Sequence, residues 1–271
     1  MSEVHSDIAA AMKQPRNETA MQQDRLPPGE PTRTAQAKAH SNRLLAALPE
    51  SELRRWTPNL ELVELSLGQV ISEPGACLGY AYFPLNAIVS LVYVMKNGES
   101  AEIALVGNDG MLGVALFMGG NSTTIRAVVQ SAGQGYRLPA RELIDAVARG
   151  GETLRLMLLY TQSLLTQMTQ TAACNRHHTL NQQFSRWLLL SFDRLCGDEM
   201  VMTQKLIAKM LGVTSEEVTS AALTLGATGA IRYQEGRISL LDRALLEKSS
   251  CECYQVVKRE CDRLLPPVHT K

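Results

Sequence analysis

The chain of 271 residues has no histidine between Ser41 and Arg176; its five lie at His5, His40, His177, His178 and His269. A metal-dependent cupin needs two or three histidines plus a carboxylate inside its barrel, so that enzyme class is excluded. There is no G-x-S-x-G, no P-loop and no dinucleotide fingerprint, and no enzyme is expected. Apolar runs are short, as at Leu156 to Tyr160, well below the ~20 residues of a membrane span. The N-terminus lacks an apolar h-region, so no secretory signal is expected and the chain is read as cytoplasmic, without a membrane partner. Charge of one sign is also missing: 27 basic residues balance 27 acidic ones, which argues against a polycation or an acidic tail protein. Six cysteines in a chain of this length read as reduced thiols rather than a disulfide frame.

What is present is a change of pattern along the chain. Residues 1–40 hold Pro15, Pro27, Pro28 and Pro31 and show no apolar periodicity; they read as a disordered arm, with a short helix possible from Asp7 to Lys13. Ser41 is the candidate cap of a helix over Arg43 to Ala47, and a second follows from Glu50 to Trp56. From Leu60 apolar residues alternate, at Leu60, Leu62, Leu65 and Leu67, with a slip at Val63 that suggests a bulge. Ala87 to Val94 and Ser100 to Val106 flank Asn97-Gly98, a hairpin signal. Ile125 to Gln130 and Gln134 to Leu138 complete a series of short strands with frequent glycines, the pattern of a β-barrel or jelly roll.

After Pro139 the period becomes helical. Arg141 to Ala148 is short, and Glu152 to Arg176 is long. Leu154, Met157, Leu158, Leu164, Leu165, Met168 and Ala172 recur along it at three and four. A dimer seam is the sharper reading of that stripe; packing on the chain's own barrel is the other. Leu180 to Leu195 forms a further helix, ended by Gly197-Asp198. Then Leu206, Ile207, Met210 and Leu211 precede Gly212. Thr214 or Ser215 caps a second helix carrying Val218, Ala221, Ala222 and Leu225. Two short helices joined by a Gly-containing turn make a helix-turn-helix. Ala230 to Tyr233 and Arg237 to Leu241, with a turn between them, add a wing.

A β-roll, a long helix and a winged helix, in this order, resemble the Crp/Fnr family of bacterial transcription regulators. The residues that carry the resemblance are Gly107-Asn-Asp-Gly110-Met-Leu-Gly113, the helix-turn-helix from Thr203 to Leu225, and Gly229-Ala-Ile-Arg-Tyr-Gln-Glu-Gly-Arg-Ile-Ser-Leu-Leu-Asp242. Cys251-Glu-Cys253-Tyr254 looks like one uncharacterised branch. The resemblance spans residues 42 to 265. It implies an α+β chain: an N-terminal double-stranded β-helix or jelly roll as sensor domain (41–149), a dimerisation helix (150–178) and a C-terminal winged helix-turn-helix (179–265); the disordered arm (1–40) lies outside the match. It further implies a homodimer, an effector that shifts the balance between two dimer arrangements, double-stranded DNA read at two half-sites, and RNA polymerase as a further partner.

The resemblance places an effector pocket at Gly107, Gly110, Gly113, Thr123, Thr124 and Arg126. The family's cyclic-nucleotide branch holds the ribose with a Gly-Glu pair and the cyclic phosphate with Arg-Ser or Arg-Thr. Here Val114 takes the acidic position, Thr123-Thr124 takes that of Arg-Ser, and Arg126 comes two or three residues late. A buried phosphate needs a fixed cation and donors, so cyclic AMP is not the expected effector and a small molecule of other chemistry is. Arg126 is read as facing solvent or pairing with Asp109. Oxygen-sensing relatives hold an iron–sulfur cluster on N-terminal cysteines, and residues 1–76 contain none. Cys77 reads as a small buried thiol, and His177-His178 as hinge or surface. Cys251-x-Cys253 with Cys261 is completed to four ligands only by His269 or Cys196, and reads as reduced cysteines on a terminal helix. No cofactor and no metal are expected.

For DNA the resemblance assigns phosphate contacts to Thr203, Gln204 and Lys205 and to the wing residues Arg232 and Arg237. It places Thr214, Ser215, Glu216 and Ser220 at the start of the reading helix. Relatives commonly carry Arg where Ser215 and Ser220 stand; Glu216 matches an acidic reader that accepts from cytosine. Residues 201–248 hold six cations against five anions, a net +1, low for a DNA-binding domain. That predicts weak or strongly salt-limited binding, and it keeps a rival open, a dimeric ligand-sensing or protein-interaction module. The glutamates also suit a helix N-terminus by charge alone.

Overall fold

The computed structural model describes residues 39–195 and 197–265. The expected Asp7–Lys13 helix, the arm as far as residue 38, and the candidate ligands Cys196 and His269 lie outside the described residues; Ala39, expected in the disordered arm, is instead buried in the core. Two short helices open the fold, α1 (Arg43–Ala47) and α2 (Glu50–Trp56). The cap of α1 is Asn42, not Ser41: its Oδ1 accepts from the amides of Leu44 and Leu45, and its Nδ2 donates to the carbonyls of Pro84 and Gly110. An amide that caps and cross-links at once satisfies more buried backbone than a hydroxyl could.

Seven strands follow: β1 (Glu61–Leu65), β2 (Val70–Ser72), β3 (Tyr80–Pro84), β4 (Ile88–Val94), β5 (Ser100–Val106), β6 (Arg126–Ser131) and β7 (Gly133–Pro139). They form two antiparallel sheets, ordered β1-β7-β3 and β2-β6-β4-β5, the jelly-roll solution to short alternating strands. Alternate side chains face inward, so Leu65, Val89, Val106, Ala127 and Val129 share one apolar cluster. The slip expected at Val63 is not a bulge: β1 pairs with β7 in unbroken register from Glu61↔Arg137 to Leu65↔Gly133. The breaks in register fall at Val70/Ser72, Ile88/Val89 and Leu91/Val92. The turn α3 (Val114–Phe117) bridges β5 and β6.

Helix α4 (Ala140–Ala148) leads into α5 (Gly151–His177). Helix α5 buries Leu156, Met157, Tyr160 and Leu164 against Trp56, Phe83, Leu138 and Leu143. It also covers an exposed sheet edge: Gln167 accepts from the Leu105 amide and donates to the Leu105 carbonyl, both at 3.0 Å. An edge strand left open would invite pairing with another chain. Met157 and Leu164, expected at a dimer seam, are therefore core residues of their own chain. Leu158 and Leu165, 54 % and 58 % exposed, keep the outward position, with Leu154 and Met168 half-buried between.

The remainder is α6 (Leu180–Phe192), β8 (Glu199–Val201), α7 (Gln204–Leu211), α8 (Ser215–Ala227), β9 (Ile231–Gln234), β10 (Arg237–Leu240), α9 (Arg243–Ser249) and α10 (Glu252–Leu264). Helix α6 ends at Phe192 rather than Leu195, and β8 makes the wing a three-stranded sheet, β8-β10-β9. Ile88 and Leu105 of the roll share one core with Phe184, Trp187, Leu188 and Ile207. Helix α10 returns to the start of the chain, where Arg43 donates to Asp262 at 3.0 Å and to the Leu265 carbonyl at 2.5 Å.

One buried carboxyl sits at the joint between roll and C-terminal helices. Glu102 on β5 accepts from Trp187 Nε1 on α6 at 2.9 Å and lies 2.6 Å from Ser90 Oγ; Ser90 also bonds Gln130 Oε1. Burial pushes the Glu102 pKa up to about 7, against the lowering by Ser90 and Trp187. A single Ser90 hydrogen cannot serve two acceptors. The chain closes when Glu102 carries a proton and donates to Ser90, or when the Gln130 amide is turned over. Because the folded pKa exceeds the unfolded one, the folded state binds the extra proton between pH ~4.5 and ~7, and stability falls as pH rises through that window. The expected loss is on the order of 3 kcal/mol. Glu102→Gln keeps an acceptor for Trp187 and removes the charge. Urea midpoints of this variant should vary less from pH 5 to pH 8 than those of the parent and exceed them at pH 8; parallel pH profiles would contradict the assignment.

Candidate nucleic-acid interface

The reading element is built from local rules. Thr203 caps α7, its Oγ1 accepting from the Leu206 amide at 3.3 Å. Gly212 ends α7 in the left-handed region at φ +70°, a conformation open to glycine at little cost. Thr214, not Ser215, caps α8. Its Oγ1 accepts from the Glu217 amide at 3.2 Å, and the Glu217 carboxylate accepts from the Thr214 amide at 2.9 Å. This is a reciprocal capping box. The bond from the Thr214 amide, then that from its hydroxyl, holds the Glu217 carboxyl below the usual range. Glu217 therefore has a structural partner, and the Thr214 hydroxyl is engaged within the box.

Behind the cap, Val218, Ala221, Ala222 and Leu225 are buried and fix α8 against α6 and α7. The opposite face exposes Glu216, Ser220, Leu223 and Thr224; Leu223 is 70 % exposed. No Lys or Arg occurs in α8. Thr203 and Lys205 are exposed at the start of α7, with Gln204 half-buried, and Arg232 and Arg237 are exposed on the wing. Gln204, Thr219, Leu223, Arg232 and Tyr233 line one groove between α8 and the wing. Of the expected phosphate residues, Gln204 and Arg232 thus border the groove beside α8.

The six residues assigned to an effector pocket fall into separate settings. Gly107 and Gly110 are close-approach points: an added Cβ would lie 2.7 Å from Arg194 Cβ and 2.6 Å from the Tyr160 hydroxyl, respectively. Gly113 caps α3 at φ +109°. Thr123 Oγ1 accepts from the Ile125 amide at 3.2 Å, and Thr124 is exposed. Arg126 donates to Glu73 at 2.9 Å, not to Asp109. Asp109 instead pairs with Arg194 at 2.7 Å, a residue only 4 % exposed whose charge would be costly without that carboxylate. The Gly107–Gly113 segment thus anchors the end of α6. None of the six lines the groove at α8 or the small enclosed space beneath α5.

Two thiol expectations change. Cys77 is exposed, not buried. Cys251 and Cys253 gather not with Cys261 but with Cys174 and His178, whose ligand atoms lie within 4.8 Å of one another. The sequence hid this because Cys174 and Cys251 are 77 residues apart, and Cys-x-Cys is not a common zinc spacing. The adjacent Tyr254 is also occupied: its hydroxyl donates to Asp193 at 3.0 Å and accepts from Arg243 at 2.7 Å.

Residues 182–249 match the family of Crp-like helix-turn-helix domains. No curated protein matches the chain in sequence. Among solved structures it is similar to FixK2 from Bradyrhizobium japonicum, at 17% identity and TM-score 0.60, over 71% of this chain and 98% of that one. It is similar to a putative Crp/Fnr-family regulator from Eubacterium rectale, at 15% identity and TM-score 0.57, over 77% and 98%. It is similar to TTHA1359, a Crp/Fnr-family regulator from Thermus thermophilus, at 24% identity and TM-score 0.54, over 70% and 98%. At these identities the likeness is one of fold.

Removing the α8 cap separates structural from reading roles. Thr214→Ala should cost about 1 kcal/mol of stability, and Glu217→Ala should also lower the thermal midpoint. Glu216→Ala should leave the midpoint in place. A midpoint unmoved by Thr214→Ala would remove the capping box as the source of order at the helix start.

Proposed function

We propose, from the premise that this chain is a Crp/Fnr-type regulator by fold and by its Crp-like helix-turn-helix domain, that it is a homodimeric, effector-modulated reader of double-stranded DNA. The observation that supports this is the exposed face of α8 beside a groove bordered by Gln204 and Arg232, with Thr203 and Lys205 exposed at the start of α7 and Arg237 exposed on the wing. Lys205, Arg232 and Arg237 position phosphates; Ser215, Glu216 and Ser220 face base edges. Dimerisation runs along Leu158, Leu165 and Ala172 of α5, exposed and seven residues apart. The effector is not cyclic AMP. The support is chemical: Val114 offers no carboxylate, and Arg126, the nearest candidate cation, is already paired with Glu73. RNA polymerase is the further partner this class of regulator implies. Among the described residues no helix is long and apolar enough to cross a membrane, which is consistent with a cytoplasmic protein.

A second reading is favoured by the α8 surface. Glu216 and the 70 % exposed Leu223, with no cation on the helix, also suit a protein partner. Selection of bound sequences from a random duplex pool at low salt discriminates the two. A two-fold symmetric enriched site supports the DNA reader; no retention at all supports the interaction module. With that site in hand, Lys205→Ala should weaken all duplexes alike and reduce the salt slope by about one unit. Unchanged slope would remove Lys205 from the phosphate set. A calorimetric titration showing micromolar cyclic AMP binding would overturn the effector assignment.

A further inference from the structure

Cys174, Cys251 and Cys253 are 0 %, 5 % and 2 % exposed and pack together. Cys174 Sγ stands 3.5 Å from Cys251 Sγ, and His178 Nδ1 stands 3.6 Å from Cys253 Sγ. With Zn–S bonds of about 2.3 Å and Zn–N bonds of about 2.0 Å, the edges of a ligand tetrahedron are about 3.5 to 3.8 Å. A disulfide needs sulfurs at about 2.05 Å. An iron–sulfide core would hold the thiols farther apart, because the core itself stands between them.

The chain prepares this arrangement on both sides. Cys174 and His178 are four residues apart at the last turn of α5 and share a face. Cys251 and Cys253 flank the first residue of α10. The other ring nitrogen of His178, Nε2, lies 3.3 Å from the Glu252 carboxylate. A metal-bound imidazole characteristically gives its second N–H to such an acceptor, which fixes the tautomer. Three thiolates around a divalent ion carry a net charge of −1. Arg186, 3 % exposed, acts electrostatically on Cys174 and Cys253. Its Nε has no hydrogen-bond partner among the described residues. Its Nη1 donates to Thr171 at 3.2 Å and Glu102 lies within its electrostatic reach; an anionic metal–thiolate centre would add a second counter-charge to this buried guanidinium.

We propose that Cys174, His178, Cys251 and Cys253 bind one zinc ion in a closed tetrahedral site. Binding releases the three thiol protons and leaves the imidazole neutral, with Nδ1 on the metal. All four positions are filled by protein, so the site is structural rather than catalytic. The ligands bracket residues 182–249, the stretch that matches the helix-turn-helix family, two just before it and two just after it. The ion ties its exit to its entry and seats α10 on α5.

The test is elemental analysis of the full-length protein, reduced and purified without chelator, followed by cobalt substitution. The expected result is one zinc per chain, and a cobalt form with tetrahedral d–d bands and thiolate charge-transfer absorption. Cys174→Ser and Cys253→Ser should lose both; Cys77→Ser and Cys261→Ser should keep both. Should the ligand variants fail to fold, thiol titration of the parent protein decides. Three thiols should become reactive only after a strong chelator is added. Substoichiometric metal after zinc supplementation, a cobalt form lacking thiolate bands, or thiols equally reactive with and without chelator would overturn the site.

Discussion

A deeply buried carboxyl group holds its place only when its neighbours meet its hydrogen bonds, and Glu102, 7 % exposed, does so by reaching across a joint. Its partners are Ser90 on the neighbouring strand and Trp187 on the first helix of the reading domain. Around it, Ile88 and Leu105 of the roll share a core with Phe184 and Leu188. Asp109–Arg194 supplies a second polar tie beside it. Roll and reading domain cannot separate here without uncovering Trp187 and leaving Arg194 or Glu102 unpaired, a large penalty against a total stability of about 5–15 kcal/mol. A shift between two arrangements must therefore exchange these contacts for others of similar worth rather than simply release them. Glu102, its carboxyl pushed up to about 7 by burial, makes that joint sensitive to a proton.

The reading helix has the opposite character. Its buried side is ordinary, with Val218, Ala221, Ala222 and Leu225 against α6 and α7. Its exposed side carries Glu216 and no cation. Affinity for a polyanion then has to come from the flanks, Lys205 before it and Arg232 and Arg237 beyond it. Such a division separates the source of binding energy from the source of sequence preference more sharply than a basic helix does. Glu217 beside Glu216 is not free to reach outward, because the capping box holds its carboxylate at the helix start.

The strands, the long helix and the helix-turn-helix were legible because their signals are local: alternation at β4 and β5 around Asn97-Gly98, three-four spacing along α5, a cap and a glycine around α7 and α8. What was not legible depends on pairs distant in sequence. Asn42 displaced Ser41 as a cap because it also reaches Pro84 and Gly110. Arg126 and Asp109 both had to choose partners, Glu73 and Arg194, that no spacing rule connects. The clustering of Cys174 and His178 with Cys251 and Cys253 depends on α10 returning to α5 across the whole reading domain. Glu102 gave no sign in the sequence, since a lone glutamate in an alternating strand normally faces solvent.

The long helix shows how one apolar stripe divides between two directions. Met157 and Leu158 are adjacent, so they point about 100° apart; the same holds for Leu164 and Leu165. The first of each pair turns into the chain's own core with Trp56 and Phe83, and the second turns out. A stripe that looks broad in sequence is two narrow stripes, one packed within the chain and one exposed at heptad spacing. Gln167 and helix α10 occupy the ground on either side of the inward stripe. The surface left for a second copy is correspondingly slender, and a slender coiled-coil seam is easily re-registered. Under the proposed dimer, a weak seam between chains and a strong joint within each chain would let the protomers move as rigid bodies about α5.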